Sequence, residues 1–462
     1  MRLLHTSDWH LGQSLHNFER GYEHQCFLDW LLDTLVAEQA DALLIAGDIF
    51  DNANPSSASQ KQLYRFLRQA GERLPRLNIV VIGGNHDSPG RLEAPGPLLE
   101  AHGTRVVGAV PRDAAGAIDL EQLVLPLTGA DGSVQAWCLA LPFLRPGDVP
   151  RPAPAAAADD DDDDDDDDTA VDVTDAETPD ADANATGART PAAAPPTDHA
   201  ATPGDPYLAG IALLYRQALA LAETKRQPGQ AIIAMGHCHM VDGQMSQDSE
   251  RRIVIGGTEM LPAGIFAPAI AYAALGHLHL AQTVGKQGHI RYSGSPIPLS
   301  FAEIGYQHQV LRVDLADGAL SAVTGIPVPR AVQLLRVPAR PAPLEQVLAE
   351  LAALEFPAVA DANAETTADS RPLLEVRVRL DAPEPGLRAR IEAALDGKPV
   401  RLAKIETSSG PRGAADDATL TLDQLDRLKP DDIFRQLYQQ KFNAEAPAEQ
   451  LSAFAELMLP AA

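Results

Sequence analysis

The segment ADALLIAGDIFD, residues 40–51, predicts the fold of the first half of the chain. Its apolar run Ala42–Ala46 has the length of a short buried strand. The run ends in Gly47 and Asp48, so a carboxylate follows at the carboxyl end of that strand. One carboxylate has two oxygens and can bridge two metal ions. Asp51 is expected to support or cap such a site rather than to bind metal.

The same arrangement occurs on both sides of this segment. The apolar run Arg2–Thr6 precedes the motif SDWH at residues 7–10, and Asn78–Ile82 precedes GGNHD at residues 83–87. Helical spacing of apolar side chains predicts one helix after the first motif and another after the second; these side chains are Phe27, Leu28, Leu31, Leu32 and Leu35, then Leu63, Phe66 and Leu67. Strands that alternate with helices predict an α/β fold with a largely parallel central sheet, with the polar motifs at the carboxyl ends of its strands.

Two further apolar runs, residues 231–235 and 271–275, each lead into Gly-His. They are followed by GHCH at residues 236–239 and GHLH at residues 276–279. Any one of these motifs alone is more typical of core packing or of a surface turn. Five of them behind apolar strands, offering Asp, His and Asn, predict a site for two divalent cations that both halves of the chain build.

The composition predicts a globular cytoplasmic protein with two to four folded units, since the chain has 462 residues and is 45% hydrophobic. No apolar stretch is long enough to span a membrane, and the first residues contain no cleavage-site pattern. The cysteines are Cys26, Cys138 and Cys238. Their odd number and wide spacing argue against a disulfide framework and fit a reducing compartment.

The net charge of −27 is unevenly distributed. Residues 151–205 include ten consecutive aspartates, and their sixteen Asp, one Glu and two Arg carry −15, which leaves −12 for the remaining 407 residues. With so few apolar side chains, this segment is expected to be a disordered acidic insertion. The mild acidity of the rest does not predict a nucleic-acid surface and counts against a nuclease.

A smaller unit is expected from about residue 331. Its predicted elements form a βαβαβ pattern, with strands at 332–337, 373–380 and 400–405 and helices at 344–354 and 386–395. It has no cluster of metal-ligating residues of its own, which suggests positioning rather than chemistry. Two amphipathic segments follow, with apolar positions at Ile433, Phe434, Leu437, Tyr438 and Phe442, and then at Leu451, Phe454 and Leu457. They either pack on their own domain or dock on a partner's helices, and their terminal position slightly favours docking.

The order and wording of the motifs resemble the calcineurin-like metallophosphoesterases. Within them, the opening TSDWHLG, GDIFD followed by Pro55 and Ser56, and ALGHLH leading into RYSGSPIPLSF at residues 291–301 resemble the nuclease subunits of bacterial exonuclease complexes that contain an ATPase. The resemblance covers nearly the whole chain apart from residues 151–205. It implies an α/β metallophosphoesterase β-sandwich with flanking helices over residues 1–330, a small α+β DNA-capping domain over 331–407, a linker at 408–418, and helices over 419–462 that dock the ATPase.

The resemblance also implies roles for individual residues. One ion would be bound by Asp8, His10, Asp48 and His279, and the other by Asp48, Asn85, His237 and His277, with Asp48 as the bridge. His86 would assist the leaving oxygen and Asp87 would support it. His239 is not at a ligand position of the family and is treated as a bystander. Oxygen and nitrogen ligands without thiolate favour Mn²⁺ as both ions, although Mg²⁺, Fe and Zn stay open.

Three functions are compatible with these features. The first is a DNA nuclease subunit that hydrolyses phosphodiesters as an ATP-dependent 3′–5′ double-strand exonuclease and a single-strand or hairpin endonuclease, acting in recombination, replication and repair as a homodimer within a heterotetramer. The second is a small-molecule or nucleotide phosphodiesterase, which the low positive charge favours. The third is a catalytically silent scaffold, which the intact ligand set disfavours. The capping-like unit and the apolar terminal helices favour the first.

Overall fold

The structure is a computed structural model. It describes residues 1–150, 205–241, 243–245, 260–356, 368–380, 382–409, 430–442 and 444–457. The expected acidic insertion, apart from Asp205, lies outside the described residues, as does nearly all of the expected linker.

The described chain contains seventeen strands. In chain order they are β1 (Arg2–Thr6), β2 (Ser14–Leu15), β3 (Phe18–Glu19), β4 (Ala42–Ala46), β5 (Asn78–Ile82), β6 (Thr104–Val107), β7 (Val124–Thr128), β8 (Val134–Ala140), β9 (Ala231–His237), β10 (Tyr272–Gly276), β11 (Gln282–Val284), β12 (Gln287–Tyr292), β13 (Gln309–Ala316), β14 (Ala319–Pro327), β15 (Leu334–Pro343), β16 (Leu373–Leu380) and β17 (Arg401–Ser409). The three strands predicted before the acidic segment form with the bounds that their apolar runs indicated.

The helices of the described chain are α1 (Gly21–Ala37), α2 (Ser57–Arg73), α3 (Pro89–Glu93), α4 (Gly96–Glu100), α5 (Pro206–Lys225), α6 (Leu344–Ala352), α7 (Leu387–Ala394), α8 (Pro430–Phe442) and α9 (Ala448–Leu457). Short 3₁₀ turns lie at Leu120–Gln122, Ala263–Ile265, Phe301–Gly305 and Ala368–Ser370. None of the helices in the described part of the chain has the length and apolar content that crossing a membrane requires.

Two six-stranded sheets form the main body. Their strand orders are β14-β13-β1-β4-β5-β6 and β11-β12-β10-β9-β8-β7. Strands β1, β4, β5 and β6 run parallel, as do β12, β10, β9 and β8, while β13, β14, β7 and β11 pair antiparallel. The expectation of one largely parallel central sheet was therefore incomplete, because each half of the chain builds a sheet of its own and the parallel strands occupy its centre.

Side-chain alternation explains the layering. In β4 and β5, Leu44 and Val80 belong to the core between the two sheets, whereas Leu43 and Val81 pack in the core that contains α1 and α2. Successive side chains of a strand point to opposite faces, so a strand buried on both faces reads as a continuous apolar run. Helix α5 contacts β7 and β8 of the second sheet. The result is the expected β-sandwich with flanking helices.

The third sheet, β15-β16-β17, is entirely parallel, and α6 and α7 pack with it. The predicted βαβαβ pattern is confirmed, although β15 begins and ends later than the sequence indicated. The groups of candidate metal ligands found among the described residues all lie outside this unit.

Helices α8 and α9 pack against each other through the stacked rings of Phe434 and Phe454, whose centroids are 4.6 Å apart. Tyr438 is buried, whereas its neighbour Leu437 is 57% exposed. The apolar face expected on the first terminal helix is thus only partly covered within the described chain.

The two large sheets touch through backbone at their carboxyl ends. Gly276, the last residue of β10, lies so close to β4 that a Cβ atom on it would be 1.8 Å from the carbonyl oxygen of Ala46. His237, the last residue of β9, contacts the same carbonyl through its ring Nδ1 at 2.9 Å. Only glycine permits this approach.

We expect Gly276→Ala to lower the free energy of unfolding by about 3 kcal/mol, because its methyl group requires a shift of packed backbone. Gly288→Ala is the control, since a Cβ there meets no atom within 4 Å, and its change should stay within about 0.5 kcal/mol. Urea unfolding of both variants measures the difference. Equal midpoints for the two variants would contradict this account of the sheet contact.

Candidate metal centre

Five strand ends deliver polar side chains to one place. Asp8 and His10 follow β1, Asp48 follows β4, Asn85, His86 and Asp87 follow β5, His237 ends β9, and His277 and His279 follow β10. Three of these strands belong to the first sheet and two to the second. The site therefore forms where the carboxyl ends of both sheets meet.

Asp48 lies at the centre of the ligand set. Its Oδ2 is 3.6 Å from His10 Nε2 and 3.4 Å from His237 Nε2. Ligand atoms of Asp8, His10 and His279 all lie within 4.8 Å of one another, and so do those of Asp8, Asp48 and His237. A third group consists of His10, Asp48 and His86, so the three groups overlap through Asp8, His10 and Asp48.

Asn85 and His277 complete the set. Asn85 Oδ1 is 2.9 Å from His237 Nε2. The backbone N–H of His277 donates to Asp8 Oδ1 and Oδ2 at 3.0 and 3.2 Å, and its ring centroid is 5.5 Å from that of His237. All seven residues expected to bind metal are therefore brought together.

The backbone is strained at several of these positions. Asp8, His10, Asp48 and His277 have φ values of 54°, 47°, 49° and 104°, in a region that residues other than glycine rarely adopt. Such conformations cost about 1–3 kcal/mol each and persist only where the surrounding structure enforces them. These four strained residues surround one point. The direction in which each side chain must point, rather than a low backbone energy, therefore determines these turns.

The donor chemistry fits cations. Nε2 of His10 and Nε2 of His277 are buried without a hydrogen-bond partner among the described residues. Buried polar atoms almost always have a bonding partner. Two imidazole nitrogens without one, beside two carboxylates, therefore indicate a cation as the partner. Imidazole, carboxylate and amide oxygen together suit a borderline divalent metal.

Protons on the histidine rings supply part of this positive charge. Burial would raise the pKa of the Asp48 carboxyl, but the charges of His237, His10 and His86 outweigh it and hold that pKa well below its usual range. Burial alone would lower the pKa of His237, yet Asp48 and Asp8 raise it to about 9. His237 Nδ1 faces the Ala46 carbonyl and Nε2 faces Asn85 Oδ1, so both ring nitrogens have an acceptor. The raised pKa and these two acceptors both favour the protonated form of the His237 ring.

His86 and Asp87 lie on the first-sheet side of the centre. His86 donates its backbone N–H to Asp48 Oδ1 at 2.9 Å, and its Nδ1 lies 2.7 Å from the Asp51 carbonyl oxygen. A carbonyl only accepts, so Nδ1 carries a proton. The His86 ring centroid is 4.8 Å from that of His10, and His86 forms a candidate ligand group with His10 and Asp48.

Asp87 acts on backbone rather than on the His86 ring. It accepts N–H groups of Gly84, Ile49 and Phe50 at 2.9, 3.1 and 3.0 Å and so ties the two loops together. Burial and the nearby charge of Asp48 raise its pKa to about 6, against the effect of these N–H donors.

Glu303 is a supporting residue that sequence reasoning missed. It is fully buried in the 3₁₀ turn Phe301–Gly305, lies 2.9 Å from His279 Nδ1 and accepts the N–H of Leu299. A carboxylate behind a metal-binding imidazole fixes the ring orientation and raises its basicity. No motif marks this glutamate, because the contact joins residues 24 positions apart in a turn.

Asp51 and His239 take peripheral places. Asp51 Oδ1 is 3.4 Å from His10 Nδ1, the supporting position expected for it. The His239 ring centroid is 6.0 Å from that of His277, and His239 belongs to none of the three ligand groups.

Comparison with known proteins identifies the class. A family model described as Calcineurin-like phosphoesterase matches residues 1–134, and one described as Type 5 capsule protein repressor C-terminal domain matches residues 330–442. The chain is 39% identical over 435 residues to the SbcD subunit of the nuclease SbcCD from Rhodobacter capsulatus, covering 94% of this chain and 93% of that protein.

Two further relatives carry the same name. The Escherichia coli K12 protein is 36% identical over 334 residues, which cover 71% of this chain and 68% of that protein. The Bacillus subtilis protein is 31% identical over 319 residues, with coverages of 69% and 67%. The chain is thus a metal-binding hydrolase of the calcineurin-like phosphoesterase class. Within that class, it belongs to the family of the SbcD subunits of SbcCD nucleases.

Metal uptake should release a proton from His237, since its pKa is raised to about 9 and a metal needs the nitrogen lone pair. Below that pH the proton competes with the metal ion for the ring nitrogen of His237, and this competition is lost as the pH rises through 9. Through deprotonation of His237, we expect the affinity for Mn²⁺ to rise about tenfold per pH unit between about pH 6.5 and 8.5 and to reach a plateau above about pH 9. Titration calorimetry in buffers of different ionisation enthalpy measures how many protons are released when the metal binds. Heats that do not depend on the buffer at pH 7 would contradict it.

Proposed function

We propose that this chain is the nuclease subunit of a DNA-cleaving SbcCD complex in the cytoplasm. In this proposal it hydrolyses phosphodiesters with two divalent ions, most favourably Mn²⁺, as an ATP-dependent 3′–5′ double-strand exonuclease and a single-strand and hairpin endonuclease in recombination, replication and repair. SbcC is its ATPase partner, and two copies of each protein assemble into a heterotetramer.

The observation that carries the proposal is the ligand set itself. Two carboxylates, one amide and four imidazoles, drawn from both sheets, surround a small buried volume in which two ring nitrogens have no partner among the described residues. We assign Asp8, His10, Asp48 and His279 to one ion and Asp48, Asn85, His237 and His277 to the other. A scaffold without catalytic activity has no need of strained backbone at four of these positions.

The ions would supply an activated water and neutralise charge on the phosphoryl group. The chain's own residues do the rest. Asp48 holds the two ligand groups at a fixed separation, and Glu303 orients the His279 ring. The carboxylates of Asp8 and Asp48 are buried, and burial strengthens their charge interactions.

His86 is assigned to the leaving oxygen. Its Nδ1 proton is committed to the Asp51 carbonyl, so a protonated ring presents a second proton at Nε2. As the oxygen of water bonds to phosphorus, the water would give one proton to solvent. The bond from phosphorus to the sugar oxygen would break, that oxygen would take the proton from His86 Nε2, and the ring would regain a proton from solvent. Asp87 positions His86 indirectly, because it binds the N–H groups of Gly84, Ile49 and Phe50 on either side.

A nucleic acid as the substrate is supported by the name of the relatives, which are called nucleases, and DNA in particular is proposed with the small unit that β15, β16 and β17 form. The first residues of β15 and β16, Leu334 and Leu373, share a hydrophobic core with Leu15 and Phe301 of the main body. We assign residues 331–407 to capping the DNA above the metal centre, since a hydrolase of small diesters has no evident need for such a unit.

His86→Ala should keep both metals and lower the rate of DNA hydrolysis at least about 100-fold, because it removes the proton donor and no assigned ligand. His102→Ala, which changes an exposed histidine, is the matched control and should behave like the unaltered protein. Metal content and cleavage of linear duplex DNA with Mn²⁺, SbcC and ATP are the measurements.

Each outcome separates the alternatives. Loss of metal in His86→Ala would show that this residue is a ligand instead. If the unaltered protein cleaves a chromogenic phosphodiester while DNA stays intact in the presence of SbcC and ATP, the function is that of a small-molecule phosphodiesterase.

Docking of SbcC is assigned to the helices α8 and α9, where Leu437 leaves an apolar side chain 57% exposed. Leu437→Glu should abolish co-purification with SbcC and leave metal binding unchanged, since burying a charge at an apolar interface is unfavourable. Val36→Glu, at an exposed apolar position of α1, is the control. Co-purification of SbcC with Leu437→Glu at the control level would disprove this docking site.

A further inference from the structure

A sixth loop lies beside the metal centre and carries none of the expected ligands. It follows β8, which pairs in parallel with β9, so both strands deliver their carboxyl ends to the same edge of the second sheet. The backbone N–H of Phe143 donates to the Gly83 carbonyl at 2.8 Å and fastens this loop to the one that carries Asn85 and His86.

Phe143 connects this loop to a candidate ligand. Its ring is oriented edge-to-face with the ring of His237, with centroids 6.4 Å apart and an interplanar angle of 86°. The guanidinium carbon of Arg145 lies 5.5 Å from the centroid of the same Phe143 ring. The aromatic ring thus acts as a spacer between the metal centre and a fixed positive charge.

Arg145 has no carboxylate partner among the described residues. Its side chain forms neither an ion pair nor a hydrogen bond with any residue that the structure describes, and it is only half-buried. Other arginines of this acidic chain, such as Arg2 and Arg390, bind carboxylates. The carboxylate nearest in sequence, Asp148, is engaged by the backbone N–H of Arg145 at 2.8 Å. An unpaired guanidinium beside a phosphodiesterase centre is suited to an anionic group of the substrate.

The distance from the Arg145 guanidinium to the His237 ring indicates which phosphate of the substrate it can reach. The guanidinium carbon is no farther from the His237 ring than the two separations of 6.4 and 5.5 Å combined. Phosphates on one strand advance about 3.4 Å per nucleotide along a helix axis, so this charge reaches a phosphate within about three nucleotides of the scissile one. A small phosphodiester has no phosphate at that distance.

We propose that Arg145, positioned by the ring of Phe143, binds a phosphate of the nucleic-acid strand within about three nucleotides of the one being hydrolysed. This inference rests on the proposed nuclease function and deepens it, because it names the residues that make the centre prefer a polymer to a small diester. Phe143 is a positioning residue in this account, and Arg145 contacts the substrate.

The test uses the full chain with Mn²⁺, SbcC and ATP, and two substrates: a labelled oligonucleotide duplex and bis(p-nitrophenyl) phosphate. Arg145→Gln should raise KM for the duplex about tenfold, the loss typical of one charged hydrogen bond, with kcat and the hydrolysis of the small diester unchanged. The slope of log(kcat/KM) for the duplex against log salt should become shallower by about 0.9, as expected when one phosphate contact is lost.

Companion variants separate charge from packing. Arg145→Lys should restore the salt slope and part of KM, because it keeps the charge but not the planar fork. Phe143→Leu should raise KM for the duplex by several fold, and by more than KM for the small diester. Arg226→Gln is the matched control: it removes an exposed arginine that follows α5 and precedes the amino end of β9, away from the centre. It should change neither KM nor slope.

Two results would overturn the inference. One is an Arg145→Gln protein with the KM and salt slope of the control on duplex DNA. The other is an equal loss on both substrates, which would make the Phe143 and Arg145 pair a packing contact that supports the metal site. If the unaltered protein hydrolyses the small diester and leaves DNA intact, the proposed nuclease function fails, and this inference fails with it. If the unaltered protein cleaves DNA and Arg145→Gln shows the same KM and salt slope, only the inference fails.

Discussion

The backbone contact between the two large sheets at the Ala46 carbonyl underlies the whole site. Gly276 approaches it too closely for any side chain, and the ring of His237 contacts the same oxygen through Nδ1. This contact directs His237 Nε2 toward Asp48 and Asn85, which follow strands of the other sheet. Since neither half of the chain contains a complete ligand set, the centre exists only when the two sheets are packed.

A second chain of contacts ties the small unit to the same centre. Arg336 of β15 donates to the Phe301 carbonyl at 2.9 Å, and Phe301 packs with Leu334 and Leu373. Glu303 lies in the same 3₁₀ turn and contacts His279 Nδ1. The turn therefore faces the third sheet with the Phe301 side chain and the His279 imidazole with the Glu303 side chain.

Local patterns predicted the strands that carry the ligands, because five-residue apolar runs such as Ala42–Ala46 are buried on both faces and end in a polar motif. The same patterns could not reveal that β13 returns to pair with β1, since that pairing joins residues about 310 positions apart. Glu303 and Arg145 were missed for a related reason. Their roles arise from contacts with residues distant in sequence or from the lack of a partner among the described residues, and periodicity records neither.

The acidic composition, which argued against a nucleic-acid partner, is a property of the whole chain, whereas binding responds to local charge. Exposed charges are screened over about 10 Å at moderate salt, so acidic residues beyond that distance contribute little at the centre. Nearby, two divalent ions would offset the carboxylates around them, which are those of Asp8, Asp48, Asp51 and Glu303. At the centre of an acidic chain, metals rather than basic residues would therefore reduce the repulsion of a phosphate.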